Sequence, residues 1–210
     1  MKIIRPAGMT YLFSEEQSAE IRSSLLASKV IVYPTDTLYG LGADATSPEA
    51  VDTLYTLKSR VNSPVSVLLA SITQLFEITT DLTEAAMKLI KNFMPGALTI
   101  ICRSNYAFAP QLISEKGSIG FRVPGDSISR AIPELFGKPI TTTSVNPAGM
   151  APASSLSDVE AYYGDLVDLM IDVGPLKLSK GSTVIDLTTS PFNILREGEI
   201  SRQALQDFLN

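Results

Sequence analysis

The sequence predicts an α/β fold with a mixed sheet, and three observations carry that expectation. Amphipathic helical stretches and short β-branched apolar runs alternate along most of the chain. The runs have the length and continuity of buried strands rather than of helices. Several of them are joined by too few residues for a crossover helix, so some neighbours must be antiparallel.

From the N-terminus, Ser14 followed by Gln17 has the form of a capping box, and Ile21, Leu25 and Leu26 recur at helical spacing up to Lys29. Val30 to Tyr33 then forms a β-branched run closed by Pro34. Ser47 and Pro48 start a second helix that carries Val51, Leu54 and Tyr55 and ends near Lys58. Residues 64–70 read as a strand, Leu82 to Phe93 as a helix stopped by Pro95 and Gly96, and Leu98 to Cys102 as the next strand. Later strands are expected at 119–123, 140–145, 166–173, 183–187 and 193–195. Helices fit near 157–163, with Ser157 and Glu160 as a second capping box, and near 201–209. The count is about eight strands and six helices in one domain spanning 1–210.

Composition excludes several function classes. There is no histidine, which removes catalytic triads and His-metal centres, and a single cysteine, Cys102, rules out an internal disulfide and Cys-rich zinc sites. No protein metal-ligand set is expected. The net charge of −5 and pI of 4.8 give no overall basic field for nucleic acid. No stretch approaches the length of a membrane span, and the N-terminus lacks a basic segment followed by an apolar run, so a cytoplasmic protein is expected.

Four polar segments stand out. In 33–44, two hydroxyls and a carboxylate (Thr35, Asp36, Thr37) sit where a strand ends, the edge at which open α/β sheets bind ligands. Gly40 and Gly42 follow, at a spacing that permits a tight turn or close approach to a ligand. An ordinary turn in which Thr and Asp bond their own backbone explains the segment equally well. Lys58 and Arg60 either stabilise a helix C-terminus or introduce a polar turn that presents them to a polyphosphate. Arg122 interrupts an apolar strand, where an unpaired charge is costly, so it points at an anion or carboxylate unless the strand is an edge facing water. Thr141 to Ser144, followed by Asn146, puts a row of hydroxyls and an amide at a strand end. No nucleophile and base stand adjacent, and neither GxxxxGK[ST] nor GxGxxG occurs, which disfavours Walker-type NTPases and dinucleotide-binding Rossmann proteins. Hydroxyls, amides and cations make a kit for binding a nucleoside triphosphate and a small amino acid, with catalysis by positioning and electrostatics.

In order and spacing, YPTDTLYGLGADA at 33–45, KSR at 58–60, PVSVLLA at 64–70, MPGALTIIC at 94–102, GFRVPGD at 120–126, TSVNPAG at 143–149, STVIDLT at 182–188 and LREG at 195–198 resemble the YrdC-like family, the threonylcarbamoyl-AMP synthases. The resemblance implies a twisted, mixed, open sheet with flanking helices and a concave ligand cavity. It implies that L-threonine, bicarbonate or CO2, and ATP give threonylcarbamoyl-AMP and pyrophosphate, with magnesium as companion of ATP. A separate transferase then passes the threonylcarbamoyl group to tRNA, and a weak direct tRNA contact belongs to the same expectation. By motif, Lys58 and Arg60 are the catalytic cations. ATP is expected on Lys58, Arg60, Asn62, Ser118, Ser144, Asn146 and Arg196, and L-threonine on Thr35 or Thr37, Arg122, Thr142 and Ser182. The family's usual form has a proline after the arginine, a longer turn and often a histidine on the next strand; this chain has Val61, a short turn and Leu68 or Leu69 there. The alternatives are an RNA-binding relative and a carbamoyl-adenylate enzyme with another acceptor.

Overall fold

The computed structural model describes residues 1–6, 12–58, 65–147, 149–177 and 179–209. Among these, eleven strands form one sheet: β1 (Lys2–Ile4), β2 (Ile31–Pro34), β3 (Tyr39–Gly42), β4 (Ser66–Leu68), β5 (Thr79–Thr80), β6 (Leu98–Ser104), β7 (Ser118–Arg122), β8 (Ile140–Ser144), β9 (Leu169–Ile171), β10 (Thr183–Asp186) and β11 (Asn193–Arg196). Their spatial order is β1-β9-β2-β3-β8-β4-β7-β6-β10-β11, with β5 on β6. Pairs β1/β9, β2/β9, β4/β7 and β6/β10 are parallel and the others antiparallel, so the sheet is mixed, as the short connections require.

Seven α-helices flank it: α1 (Glu15–Leu26), α2 (Pro48–Leu57), α3 (Ile72–Ile78), α4 (Glu84–Phe93), α5 (Ser127–Phe136), α6 (Leu156–Tyr163) and α7 (Arg202–Leu209). The strands alternate their side chains between two buried clusters. Ile31, Tyr33 and Leu68 join α1 and α5 through Ile21, Leu25, Ile132 and Phe136. Val32, Val67 and Leu69 join α2, α4, α6 and α7 through Leu54, Leu89, Val159 and Leu205.

Start signals held where a side chain could close the first turn. Ser14 and Gln17 form the reciprocal capping box of α1, and Ser47 accepts from Ala50 N at the start of α2. The box of α6 is instead Ser155 with Asp158, two residues earlier than Ser157 and Glu160, because the Asp158 carboxylate reaches back to the amides of Ser154 and Ser155. The expected strand at 166–173 is shorter, since residues 164–166 form a 3-10 turn.

Five elements lie where the sequence analysis assigned no strand or helix range: β1, β3, β5, α3 and α5. Helix α5 contains Pro133, which removes a backbone donor and reads as a helix stop, yet the helix continues to a left-handed Gly137 cap. Strand β3 carries two glycines, which weigh against a strand. They are there because β3 pairs with β2 and the Tyr33 ring lies across it: a Cβ on Gly42 would come 2.7 Å from Tyr33 Cε1, and one on Gly40 would come 3.1 Å from Tyr33 Cζ. The glycine pair therefore makes room for a buried tyrosine rather than forming a turn.

Candidate active site

Most of the polar positions meet at one cavity of about 860 Å3, whereas Lys58 and Asn146 do not border it. The turn between β2 and β3 supplies Thr35 and Thr37, β7 supplies Arg122, β8 supplies Thr142 and Ser144, and the last hairpin supplies Ser182 and Arg196. Ser118, at the start of β7, lies on the same wall.

Arg122 is the most constrained of these groups. Strand β7 lies between β4 and β6, not at an edge, and the residue is 5% exposed. Its Nη2 donates to Asp36 Oδ1 at 2.5 Å, Nη1 to Thr37 Oγ1 at 2.9 Å and Nε to the Gly96 carbonyl at 3.4 Å. Asp36 Oδ2 accepts from Gly125 N at 2.9 Å, so the carboxylate is itself held on both oxygens. Burial pushes the Arg122 pKa down, and the Asp36 charge is the largest opposing influence. Of five guanidinium N–H groups three are used, leaving one on each terminal nitrogen for an arriving anion.

The geometry separates the two threonines. Thr35 Oγ1 donates to the Leu38 carbonyl at 2.7 Å and accepts the amides of Thr37 and Leu38, which saturates it as a turn-former. Thr37 Oγ1 accepts from Arg122 Nη1 and, because the Thr35 proton is spent on Leu38, donates its own to Thr35 Oγ1 at 3.1 Å; both hydroxyls lie on the wall.

Arg196 is built differently. Its Nε and Nη2 donate to the Ser182 carbonyl at 3.2 and 2.9 Å, and Nη2 to Ser182 Oγ at 3.2 Å, and among the described residues no carboxylate pairs with it. Burial lowers its pKa first, and the like charge of Arg122 lowers it further, so the two guanidinium groups feel each other's charge. Lys58, 1% exposed at the end of α2, donates to the Ser144 carbonyl at 2.5 Å and to Thr143 Oγ1 at 3.3 Å. Ser144 Oγ donates to Asn146 Oδ1 at 2.6 Å, and Asn146 Nδ2 reaches the Met150 carbonyl. Ser118 Oγ is 2.8 Å from Ser114 Oγ across a turn. Arg60 and Asn62 lie outside the described residues.

Thr99, Ser66, Ser114 and Lys180 also border the cavity and were not singled out in the sequence. Thr99 and Ser66 each left a trace there, a hydroxyl in an otherwise apolar run. Neither Leu68 nor Leu69 borders the cavity; both are buried, one in each core cluster. No group of three or more Asp, Glu or Cys side chains converges to hold a metal among the described residues, and Glu115 is the carboxylate on the wall. A second hollow of about 930 Å3 beside α7 is bordered by Thr83, Cys102, Arg103 and Gln206, and by none of the expected site residues. Its Arg103–Asp81 pair is loose, at 3.6 Å, and solvent-exposed.

The family model Sua5_yciO_yrdC, described as telomere recombination, matches residues 23–198. The chain belongs to the Sua5/YciO/YrdC family. A Methanocaldococcus jannaschii relative is 33% identical over 200 residues, 93% of this chain and 94% of its own. Threonylcarbamoyl-AMP synthase of Marinobacter nauticus is 33% identical over 175 residues, 82% of this chain and 92% of its own. Among solved structures, Pyrococcus abyssi Sua5 complexed with L-threonine superposes with a TM-score of 0.90 at 27% identity, over 99% of this chain. This chain spans 61% of that Sua5 chain. E. coli YciO superposes with a TM-score of 0.85 at 26% identity, over 97% of this chain and 98% of its own. Membership of the Sua5/YciO/YrdC family puts this chain among nucleotidyltransferase-type enzymes.

Proposed function

We propose that the protein is an L-threonylcarbamoyladenylate synthase that consumes L-threonine, bicarbonate or CO2, and ATP. The observation that carries the reading is one cavity bordered by two guanidinium groups, one neutralised by a carboxylate and one not. The neutralised Arg122, with its two spare N–H groups and its plane fixed by Asp36 and Thr37, suits the carboxylate of a zwitterionic amino acid. Thr142 and Ser182 complete that end, and Thr35 shapes its turn.

Arg196, Ser118 and Ser144 form the end for a polyanionic nucleotide, with Asn146 and Lys58 hydrogen-bonded to Ser144 behind the wall; Arg60 and Asn62 are assigned to it by motif. The threonine ammonium gives one proton to water, and the neutral amine adds to CO2 and gives a second proton to water to form the carbamate. A carbamate oxygen bonds to the α-phosphorus as the α–β phosphoanhydride bond breaks and pyrophosphate leaves. Lys58 and Arg60 act on the charge that develops on the phosphates. Magnesium would enter as a companion of the ATP phosphates, with Glu115 the carboxylate among the residues bordering the cavity, and would supply charge neutralisation there.

The whole of 1–210 acts as one domain, the protein works in the cytoplasm, and a tRNA threonylcarbamoyl transferase consumes the product. Pyrophosphate release from ATP by purified protein with magnesium is the test. Release that requires both L-threonine and bicarbonate, with a product of threonylcarbamoyl-adenylate mass, supports the reading. ATP binding without release defeats the substrate assignment.

A further inference from the structure

Strand β6 turns Leu98, Ile100 and Cys102 into the main core, so its opposite face, Thr99 and Ile101, lines the cavity. Thr99 is only 3% exposed, and a hydroxyl buried that far is costly unless it is hydrogen-bonded. Its recorded partner is Ser182 Oγ, at 2.8 Å. Ser182 Oγ also accepts from Arg196 Nη2 at 3.2 Å, while the Ser182 carbonyl takes two further N–H groups of the same guanidinium. The support beneath is tight. A Cβ on Gly198 would lie 2.3 Å from the Gly181 oxygen and 2.5 Å from the Ser182 carbonyl carbon, so the loop after Arg196 rests directly on this backbone.

Counting protons gives the consequence. Thr99 and Ser182 hold two hydroxyl protons between them, and one closes their mutual bond. Guanidinium nitrogen accepts nothing, so the other proton has no acceptor within the cluster. If Thr99 donates, the Ser182 proton is left over; if Ser182 donates, the Thr99 proton is. In the first arrangement, the one the proposal uses, Thr99 donates and the Ser182 O–H stands at the cavity wall beside the Arg196 charge, a donor and a cation that together suit an anionic oxygen.

We propose that Thr99 is a positioning residue: through Ser182 and Arg196 it fixes the hydroxyl donor that holds an anionic oxygen of the bound substrates. The inference rests on the synthase reading. The oxygen belongs to a carboxylate, carbamate or phosphate, and the three candidate sources are L-threonine, bicarbonate and ATP.

The test is steady-state kinetics of full-length wild type, Thr99→Val, Thr99→Ser and Thr99→Ala, varying each substrate in turn. Thr99→Val should raise the KM of one substrate by about tenfold, the effect of losing an oriented hydrogen bond to a charged group, with a smaller change in kcat. The substrate whose KM moves identifies the source of the oxygen. Thr99→Ser should restore that KM to within about twofold of wild type, and the double variant Thr99→Val/Ser182→Ala should be scarcely worse than Ser182→Ala alone, because the two hydroxyls act as a unit. If Thr99→Val does not fold, Thr99→Ala against Thr99→Ser still isolates the hydroxyl at equal loss of the methyl group. Unchanged KM values for all three substrates, equal impairment of the Ser and Ala variants, or multiplicative losses in the double variant overturn the proposal. Wild type that makes no threonylcarbamoyl-adenylate defeats the synthase reading instead, and is seen before any variant is compared.

Discussion

The two ends of the cavity hold their guanidinium groups by opposite means, and under the proposed function each waits for an anion. Arg122 is buried in a central strand and locked by Asp36, Thr37 and the Gly96 carbonyl. Arg196 sits on the last hairpin and, among the described residues, is held by the backbone and hydroxyl of one serine. A buried cation with a carboxylate partner has little net charge to offer and much geometry. A more open cation without one keeps its full charge, which is what a polyphosphate needs. The difference teaches that pairing, not the presence of an arginine, decides which ligand an end can take.

The comparison can be broken first at Asp36. Asp36→Ala leaves the Arg122 guanidinium buried without its partner, which should cost about 3–5 kcal/mol. In a chain of this size that is roughly a 10 °C fall in melting temperature, measurable by scanning calorimetry. Gly198→Ala is the corresponding break at the other end. Its Cβ meets backbone atoms at 2.3 and 2.5 Å rather than a flexible side chain, so the loop must move and carry Arg196 with it. A loss of about 1–3 kcal/mol in stability, with a larger loss of ATP affinity than of threonine affinity, is expected from denaturant titration and calorimetric binding. Arg196→Gln should change stability by less than about 1 kcal/mol, since no carboxylate is orphaned, and this contrast with Asp36→Ala is the sharpest form of the comparison.

The smallest effect is expected on the far side of β6. Burial, aided by Asp186, pushes the Cys102 thiol up to about 12. Its folded pKa is above the unfolded value, so its stabilising contribution is complete below pH ~9 and is lost as pH rises toward about 12. Between pH 6 and pH 8 the thiol should contribute no pH dependence to stability, and thiol-reagent labelling should track unfolding rather than thiolate population. Rapid labelling of folded protein near neutrality would contradict that burial.

Much of the site was legible in the sequence because charge and hydroxyls stand out against apolar strands. Arg122 announced a buried partner, and the partner proved to be Asp36, the carboxylate already noted between two threonines. Lys58 was placed at a helix end by Pro48 and the apolar spacing, and it sits there. What stayed hidden depended on contacts across long sequence separations. The glycines of β3 answer to the Tyr33 ring, and no local pattern reports that a tyrosine will lie over them. Helix α5 carries a proline that local rules count as a stop. Thr99 reads as a β-former in an apolar run until Ser182, 83 residues away, is seen to meet it.

The division of the cavity into a neutralised end and a charged end is tested most directly by measuring ATP and L-threonine binding to Arg122→Gln and Arg196→Gln by calorimetry. Arg122→Gln should lose threonine affinity by about tenfold or more with ATP affinity held within a few-fold, and Arg196→Gln should do the reverse. Both variants losing both ligands equally, or the pattern inverted, would contradict the account.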